Sequence, residues 1–506
     1  MQSHSSAPFF ARLFSGAIPQ STDYRLISGL FLRLLAVIYL IAFASIGVQI
    51  VGLAGAQGIL PLVDKLHYVE AGLGSERFWA LPTLFWIDSS DSALRAVSVA
   101  GCLFSVLLFL NLLQRLSLIL LFVLYLSLFH AGQIFMNFQW DLLLLEAGFL
   151  AIFLPSGSRT VIWLFRWLLF RFRFLSGLSK LISQDPSWAS LTALNYYFEV
   201  QPLPQSVSWY VHHLPEWLLK FSTGSALVIE LIIPFMMFLS RKPRFFAAWA
   251  TILMQVLILL TSNHNFVNFL TIFLCLFLFD DRAVSRVVPS AARHWLTRRQ
   301  AAALTGKPVQ AVLIGLLGVL LVVVSSAQAW VMITHKTLPE PLDTVVERLR
   351  PFRLTSNYHV FPTMKTERIE IIVEGSADGK TWRSYEFKYK PGDPGRRPEV
   401  VVPHQPRLDW LMWFVPMGPP FLPMLEGLGQ RLLENSPPVI DLLDSNPFPD
   451  EPPRYLRFSQ YRYHFTSPET RSATGRWWER EYLGPFFPLA GLERPLAAPA
   501  QPAAEP

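Results

Sequence analysis

Thr192–Thr223 reads TALNYYFEVQPLPQSVSWYVHHLPEWLLKFST. It is aromatic, proline-punctuated and moderately polar, yet apolar runs of membrane-spanning length lie on both sides of it. Long connections between elements are uncommon unless they do something. Amphipathic rings such as Tyr196, Tyr197, Trp209, Tyr210 and Trp217 favour the bilayer–water boundary, where the ring body is buried and its polar tip stays wet. Pro202 and Pro204 fix φ and remove two backbone donors, which shapes the segment at low ordering cost. The stretch therefore reads as a shaped interfacial element facing a partner or substrate. Asn195, Glu199, His212 and His213 are its polar members. A second reading, an interfacial helix that merely closes one face of a helical bundle, stands beside it.

Outward from this segment the composition is that of a membrane protein. Of 506 residues only 16 % are charged, Phe occurs 40 times, and the mean hydropathy is +0.36. Apolar runs near the length needed to cross about 30 Å of hydrocarbon recur along the chain. Nine candidate spans follow: Leu30–Leu53, Ala93–Leu113, Leu116–Phe138, Trp140–Phe153, Val161–Leu175, Ser225–Leu239, Phe245–Thr261, Phe266–Phe279 and Val309–Ala327. The fourth, fifth and eighth are short, and some are candidates for re-entrant segments. Residues 1–28 lack a cleavage site, so they read as a cytoplasmic segment before a retained first span.

Loop charge supports that count. With the N-terminus in the cytoplasm, the even-numbered loops should be basic. They carry Arg115, Arg159, Arg241, Lys242, Arg244, Arg282, Arg286, Arg293, Arg298, Arg299 and Lys307. The opposite loops carry Asp64, Glu70, Glu76, Asp88, Asp91, Asp185, Glu199 and Glu216 against few cations. An odd number of spans then exports everything after about Gln328. The formal net charge of +7 needs no nucleic acid: orientation and anionic headgroups account for it. The partners it implies are membrane lipid and an exported protein.

The expected organisation is a helical transmembrane domain over 29–333, with an interfacial loop at 177–224, and an exported β-rich domain over 339–489. Arg368–Glu374 alternates, with Ile369, Ile371 and Val373 opposite Glu370 and Glu374. Asp378-Gly379 marks a hairpin turn, and Tyr385, Phe387 and Tyr389 alternate on the return. Tyr455–Phe465 is another strand-like run, and Leu408–Leu443 reads as a proline-broken helical insertion. A β-sandwich-like domain is expected. The tail 490–506, ending APAQPAAEP, is low-complexity and expected to be disordered.

No HExxH, Walker loop, GxSxG elbow, cofactor signature or zinc-type Cys/His cluster occurs. The two cysteines, Cys102 and Cys275, lie in candidate spans, and no CxxC exists, which excludes thiol–disulfide exchange carried by this chain. His212 and His213 are adjacent, about 100° apart on a helix, and cannot clamp one metal alone. Ionisable groups inside spans are costly and so draw attention: here Asp141, Glu146 and Glu230. Asp141 and Glu146 lie about 140° apart around a helix and form no dyad. Asp141 is expected at the interface near its helix start, where an acid suits the dipole. Glu146 and Glu230 are expected to accept interhelical hydrogen bonds as neutral acids. Asn263, Asn265 and Asn268 read as turn and capping residues.

Several ordered segments resemble one family: QWDLLLLEAGFLAIFLP at 139–155, LTALNYYFEVQPLPQSVSWYVHHLPEWLLKFST at 191–223, RIEIIVEGSADGKTWRSYEFKYKPGD at 368–393, HQPRLDWLMWF at 404–414, LLENSPP at 432–438 and NPFPDEPPRYLR at 446–457. Together they make the chain similar to the lipase maturation factors over most of its length. Leu411 departs from the Gln expected there. The resemblance implies a multi-pass protein, resident in the endoplasmic reticulum in animals, that secreted homodimeric lipases need to reach their active fold. It carries over no catalytic residue. Arg-rich, Lys-poor usage reads as bacterial, which would place the protein in an inner membrane with a periplasmic C-terminal domain.

Two function classes follow. A non-enzymatic maturation factor would use its aromatic outer surface to hold a client's unfinished apolar interface. A membrane enzyme acting on an exported protein or lipid would use Glu146, Glu230 and the histidines; the layout is distantly similar to vitamin K-dependent carboxylases, an architectural likeness only. Convergence of Glu146, Glu230 and His212 on one pocket would favour the enzyme; separate packing sites would favour the maturation factor. A transporter would show repeated halves or paired broken helices, and neither is found.

Overall fold

A computed structural model describes residues 24–298, 308–487, 489 and 491–493. The expected N-terminal segment, apart from 24–28, lies outside the described residues, as do Arg299, Lys307 and most of the tail. Fourteen helices carry the argument: α1 Arg25–Gly47, α2 Leu62–Leu73, α3 Asp91–Phe109, α4 Gln114–Ala131, α5 Gln139–Phe153, α6 Arg159–Ile182, α7 Ala193–Val200, α8 Ser206–His212, α9 Glu216–Leu231, α10 Arg241–Thr261, α11 Val267–Leu274, α12 Pro308–Thr334, α13 Arg407–Met412 and α14 Leu422–Leu433.

Each of the nine segments read as a span is helical. Seven of these helices are long and apolar enough to cross a membrane by length and composition, while the Val267–Leu278 stretch is shorter. The remaining one, α6, is long enough but carries Arg166, Arg171, Arg173 and Lys180, all buried. The N-terminal region is therefore a bundle of apolar helices. α1 lies inside it, with Phe31, Tyr39 and Phe43 fully buried. Its first turn would leave backbone N–H groups without partners; the Asp281 carboxylate accepts from Leu26 N at 2.8 Å and Ile27 N at 3.0 Å. Outer helices instead expose Val99, Leu103, Leu253, Leu257, Leu316 and Val319, as hydrocarbon-facing surfaces do.

The expected loop at 177–224 is largely helical. α6 runs on to Ile182, and α7, α8 and the start of α9 follow, because TALNYYFEV and SVSWYVH are helix-competent runs separated by Pro202 and Pro204. Gln205 and Ser208 form a reciprocal capping box at the start of α8.

The C-terminal domain holds one five-stranded antiparallel sheet, in the order β2-β1-β5-β6 with β7 also pairing β5. Its strands are β1 Arg368–Ser376, β2 Arg383–Ser384, β5 Tyr455–Phe465, β6 Trp478–Pro485 and β7 Gly491–Glu493; β3 Glu386–Phe387 and β4 Leu443–Ser445 form a separate ladder. The β1–β5 register runs from Arg368 opposite Tyr463 to Ser376 opposite Tyr455. The Asp378-Gly379 turn forms, with Gly379 at φ +72°, but the return strand pairs with β1 only briefly and then leaves for β4. Among the described residues no second large sheet completes a sandwich. Helix α14 covers the sheet instead, with Leu425, Leu428 and Leu432 buried in the same core as Phe458. Residues 491–493 of the expected disordered tail form β7.

Close helix crossings depend on small residues. A Cβ at Gly101 would fall inside the Phe43 ring, whereas one at Gly315 meets nothing. Gly101→Ala should destabilise the bundle by about 1–3 kcal/mol through overpacking. Gly315→Ala should leave thermal unfolding in detergent unchanged. Equal melting of the two variants would refute this α1–α3 packing.

Candidate functional site

α7 ends at Val200, and the last carbonyls of a helix need outside donors. All four are accounted for. Tyr197 O accepts from Gln201 N at 3.0 Å, and Phe198 O from Gln201 Nε2 at 3.2 Å. Glu199 O accepts from Arg368 Nη1 at 2.9 Å, and Val200 O from Trp413 Nε1 at 2.6 Å. Two of the four donors belong to the C-terminal domain. Arg368 is fully buried, also donates to Pro202 O at 2.9 Å, and pairs with Glu370, which Lys390 meets at 3.0 Å.

The rest of the aromatic segment is held in the same way. Trp209 is 5 % exposed and packs among Tyr463, Phe465, Trp477 and Trp478. Its Nε1 donates to Thr466 O at 3.0 Å. The Glu199 carboxylate accepts from Phe465 N at 2.8 Å and lies 3.1 Å from His464 Nδ1 and 3.8 Å from His212 Nε2. Burial holds His212 below its usual range despite that acid. His213 is exposed, and its Nδ1 donates to Trp209 O at 2.7 Å. Tyr197 is buried, with its hydroxyl 3.0 Å from Ser262 Oγ and 2.5 Å from His264 Nε2. Burial pushes His264 down to about 4, so its neutral ring can accept the phenol proton. Asn195 and Tyr196 are half-buried. Of the Trp and Tyr members, Tyr210 and Trp217, at 55 % and 70 % exposed, are left facing outward.

Trp209 thus corrects the expectation of an outward-facing anchor: it is a core residue of the loop–domain contact. Asp141 is corrected too. It is fully buried, pairs with Arg407 through Oδ1–Nη2 at 2.8 Å and Oδ2–Nη1 at 2.9 Å, and accepts from the Tyr125 hydroxyl at 2.6 Å. Glu146 and Glu230 each accept interhelical hydrogen bonds, and their donors are cations. Glu146 meets the Arg171 guanidinium and accepts from the Tyr358 hydroxyl at 2.7 Å. Glu230 meets Arg173 at 2.9 Å and Lys180 at 2.7 Å. Glu146, Glu230 and the Glu199–His212–His464 group each have their own partners, at separate places in the fold. Among the described residues no group of three or more His, Cys, Asp or Glu is arranged to hold a metal ion.

The side chains missed in the sequence are the cations that answer these acids: Arg171, Arg173, Lys180, Arg368 and Arg407. RWLLFRFRFLSGLSK at 166–180 held the signal, since cations inside an apolar run demand acidic partners. Asn263 does more than turn the chain. It donates to Leu203 O and Glu399 O and accepts from Val401 N. Asn265 takes a positive φ and caps Val267 N, as a turn residue should; Asn268 instead donates to Gln255 Oε1 at 3.0 Å.

Apolar helices with a buried ionic seam to a β-containing C-terminal domain define an integral membrane protein whose two parts fold against each other. The chain matches the Lipase maturation factor transmembrane domain over residues 26–286 and the Lipase maturation factor C-terminal domain over 354–488, and it belongs to the lipase maturation factor family. It is 33 % identical to lipase maturation factor 2 of Mus musculus, covering 92 % of this chain and 83 % of the relative. Against lipase maturation factor 1 of Bos taurus it is 35 % identical, over 90 % and 87 % of the two chains. No solved structure matches it.

Removing one partner of a buried ion pair costs about 3–5 kcal/mol, because the other charge is stranded, whereas replacing both by apolar groups is often neutral. Asp141→Asn should therefore lower the unfolding temperature strongly, and Asp141→Leu with Arg407→Met should recover most of the loss. Glu146→Gln should be destabilising as well, since it leaves Arg171 without a counter-charge. Parent-like melting of Asp141→Asn would show that the pair does not hold the seam.

Proposed function

We propose that this protein is a membrane-embedded maturation factor that binds an exported client without covalent chemistry. Family membership supports this directly, and the relatives' names point to lipases as the client class. The observation that carries the proposal is the pair Tyr210 and Trp217. Tyr210 faces outward on α8 beside the buried Trp209, and Trp217 on the first turn of α9, in a segment whose preceding helix α7 has its last carbonyls and the Glu199 carboxylate bound by the C-terminal domain, so the exposed rings are presented at little entropic cost. Rigid Trp and Tyr are the residue types that dominate binding hot spots. The acid–base reading lacks comparable support, since its candidate groups occupy separate ion pairs.

The orientation proposed places the N-terminus in the cytoplasm and, after nine crossings, the C-terminal domain on the far side of the membrane. Basic residues at the start of α10 and after α11 support it, Arg241, Lys242, Arg244, Arg282 and Arg286 among them. In a bacterial inner membrane that side is the periplasm; in the endoplasmic reticulum of relatives it is the lumen.

Three measurements test this reading. An alkaline phosphatase fused behind the C-terminal domain should be active only if that domain is exported, and inactivity would overturn the orientation. Crosslinking capture with a co-expressed secreted lipase should fall at least tenfold for Tyr210→Ala with Trp217→Ala, at unchanged protein level. Trp209→Ala should instead destabilise by about 3–5 kcal/mol, as a large core deletion does. Undiminished capture by the Tyr210/Trp217 double variant would remove the aromatic surface from the mechanism.

A further inference from the structure

A cavity of about 410 Å³ lies where α2, the end of α4, the α4–α5 connection and α14 meet. Lys65 and Arg353 line it, with Gln133 and Asn137 as further polar groups and Phe129 and Met424 among the apolar walls. No Asp or Glu lines it. The buried cations Arg171, Arg173, Lys180, Arg368 and Arg407 each meet an acid, some of them sharing one. Here the pattern breaks. Among the described residues the Lys65 amine and the Arg353 guanidinium make no hydrogen bond or ion pair, and Arg353 Nε is buried without a partner.

The setting of Arg353 is constrained as well. Its φ is +54°, a conformation that non-glycine residues rarely take. It ends the turn at Arg350–Phe352, with its N–H donating to Arg350 O at 3.2 Å. The guanidinium lies 5.1 Å from the Phe129 ring centroid. Burial and the neighbouring Arg350 hold it below its ordinary value, so an anion in the cavity would relieve an electrostatic cost. Arg353 also borders a second cavity, of about 250 Å³, whose lining includes Asp343 and Glu347. Glu347 is taken by Arg350. His130, which also lines the cavity, has its Nε2 on Pro351 O at 2.9 Å, and Gln133 Nε2 is committed to Leu60 O at 3.0 Å, so Lys65 and Arg353 are the cationic groups able to meet a ligand, with Asn137 beside them.

We infer that this cavity binds a phosphate-bearing ligand, through the fork of Arg353 and the point charge of Lys65. A planar guanidinium matches phosphate oxygens in pairs, and a lysine adds charge without demanding geometry. The apolar walls accommodate the carbon adjoining the phosphate. The cavity lies at the end of α4, a helix long and apolar enough to cross a membrane, so the phosphate belongs either to a phospholipid headgroup or to a small soluble molecule.

Full-length protein, delipidated in a neutral detergent, is titrated with dioctanoyl phosphatidylglycerol, dioctanoylglycerol and inorganic phosphate, with binding followed by native mass spectrometry. The phosphatidylglycerol should bind and the uncharged dioctanoylglycerol should not compete. Lys65→Gln and Arg353→Gln should each weaken binding at least tenfold. Asn137→Trp, which fills the cavity and keeps both cations, should weaken it as much. Helical circular dichroism checks the fold, and Lys65→Gln, on the half-buried α2 surface, carries the test if Arg353→Gln does not fold. Displacement by millimolar inorganic phosphate assigns a soluble ligand, and failure of displacement assigns the lipid headgroup. Binding unchanged in Lys65→Gln and Asn137→Trp, or no binding of either phosphate probe to the parent, overturns the site.

Discussion

A charge removed from water costs several kcal/mol unless a well-placed partner meets it, and this constraint organises the molecule. Along α6, Arg173, Gly177 and Lys180 fall on one face, spaced as one helical stripe requires. The missing side chain at Gly177 lets α9 approach, since a Cβ there would sit 2.7 Å from that of Glu230. The approach brings one carboxylate between two cations. Arg171 points away from that stripe and meets Glu146 of α5. One helix thus fixes two neighbours by charge where apolar packing alone would allow sliding.

The same helix also anchors the chain that leads out of the bundle. Arg171 Nη1 donates to Ser356 O at 3.1 Å, Lys180 Nζ to Val360 O at 2.9 Å, and Ser183 Oγ to Pro362 O at 2.7 Å. Three carbonyls of the segment 356–362 are therefore met by one helix and its end. Further along, Ser45 and Gln49 of the α1 end bind the Gln405 and Arg407 backbone, and Arg407 reaches Asp141. The C-terminal domain is consequently not a module on a tether. Its position is set by groups whose alternative is a stranded charge or carbonyl.

Much of this was legible in the chain and some was not, for identifiable reasons. Apolar runs announce spans because nothing else crosses hydrocarbon, so every candidate segment is helical. Tyr455–Phe465 was read to the residue, since a long alternating run next to the sheet centre has no competing periodicity. The return strand after Gly379 was misread because alternation at Tyr385, Phe387 and Tyr389 does not say which edge the strand will join. The period-two rule puts Glu370 and Glu374 opposite Ile369, Ile371 and Val373 but does not show that both are buried against cations, Arg368 and Lys390 for one and Arg457 for the other. Pairing of acids with cations far along the chain, Asp141 with Arg407 above all, leaves no local signature. The presence of three arginines in one expected span was a signal, but it names a need and not the partner.

The aromatic segment at 192–223 shows how one stretch can satisfy both of its readings. It closes the bundle, since Tyr197, Ser208 and Gln201 bind α10 and the turn behind it, Ser208 Oγ to Thr261 O at 2.8 Å among them. It also presents Tyr210 and Trp217 to the outside. These roles support each other: Tyr210 sits on a short helix, α8, that is capped at its start and anchored by the buried Trp209, directly after the α7 end that Arg368 and Trp413 clamp, and so loses little freedom on meeting a partner. Were the segment a free loop, ordering it would cost about 1–2 kcal/mol per backbone residue at the moment of binding. That cost is met here during folding, by carbonyls that the C-terminal domain must cap in any case.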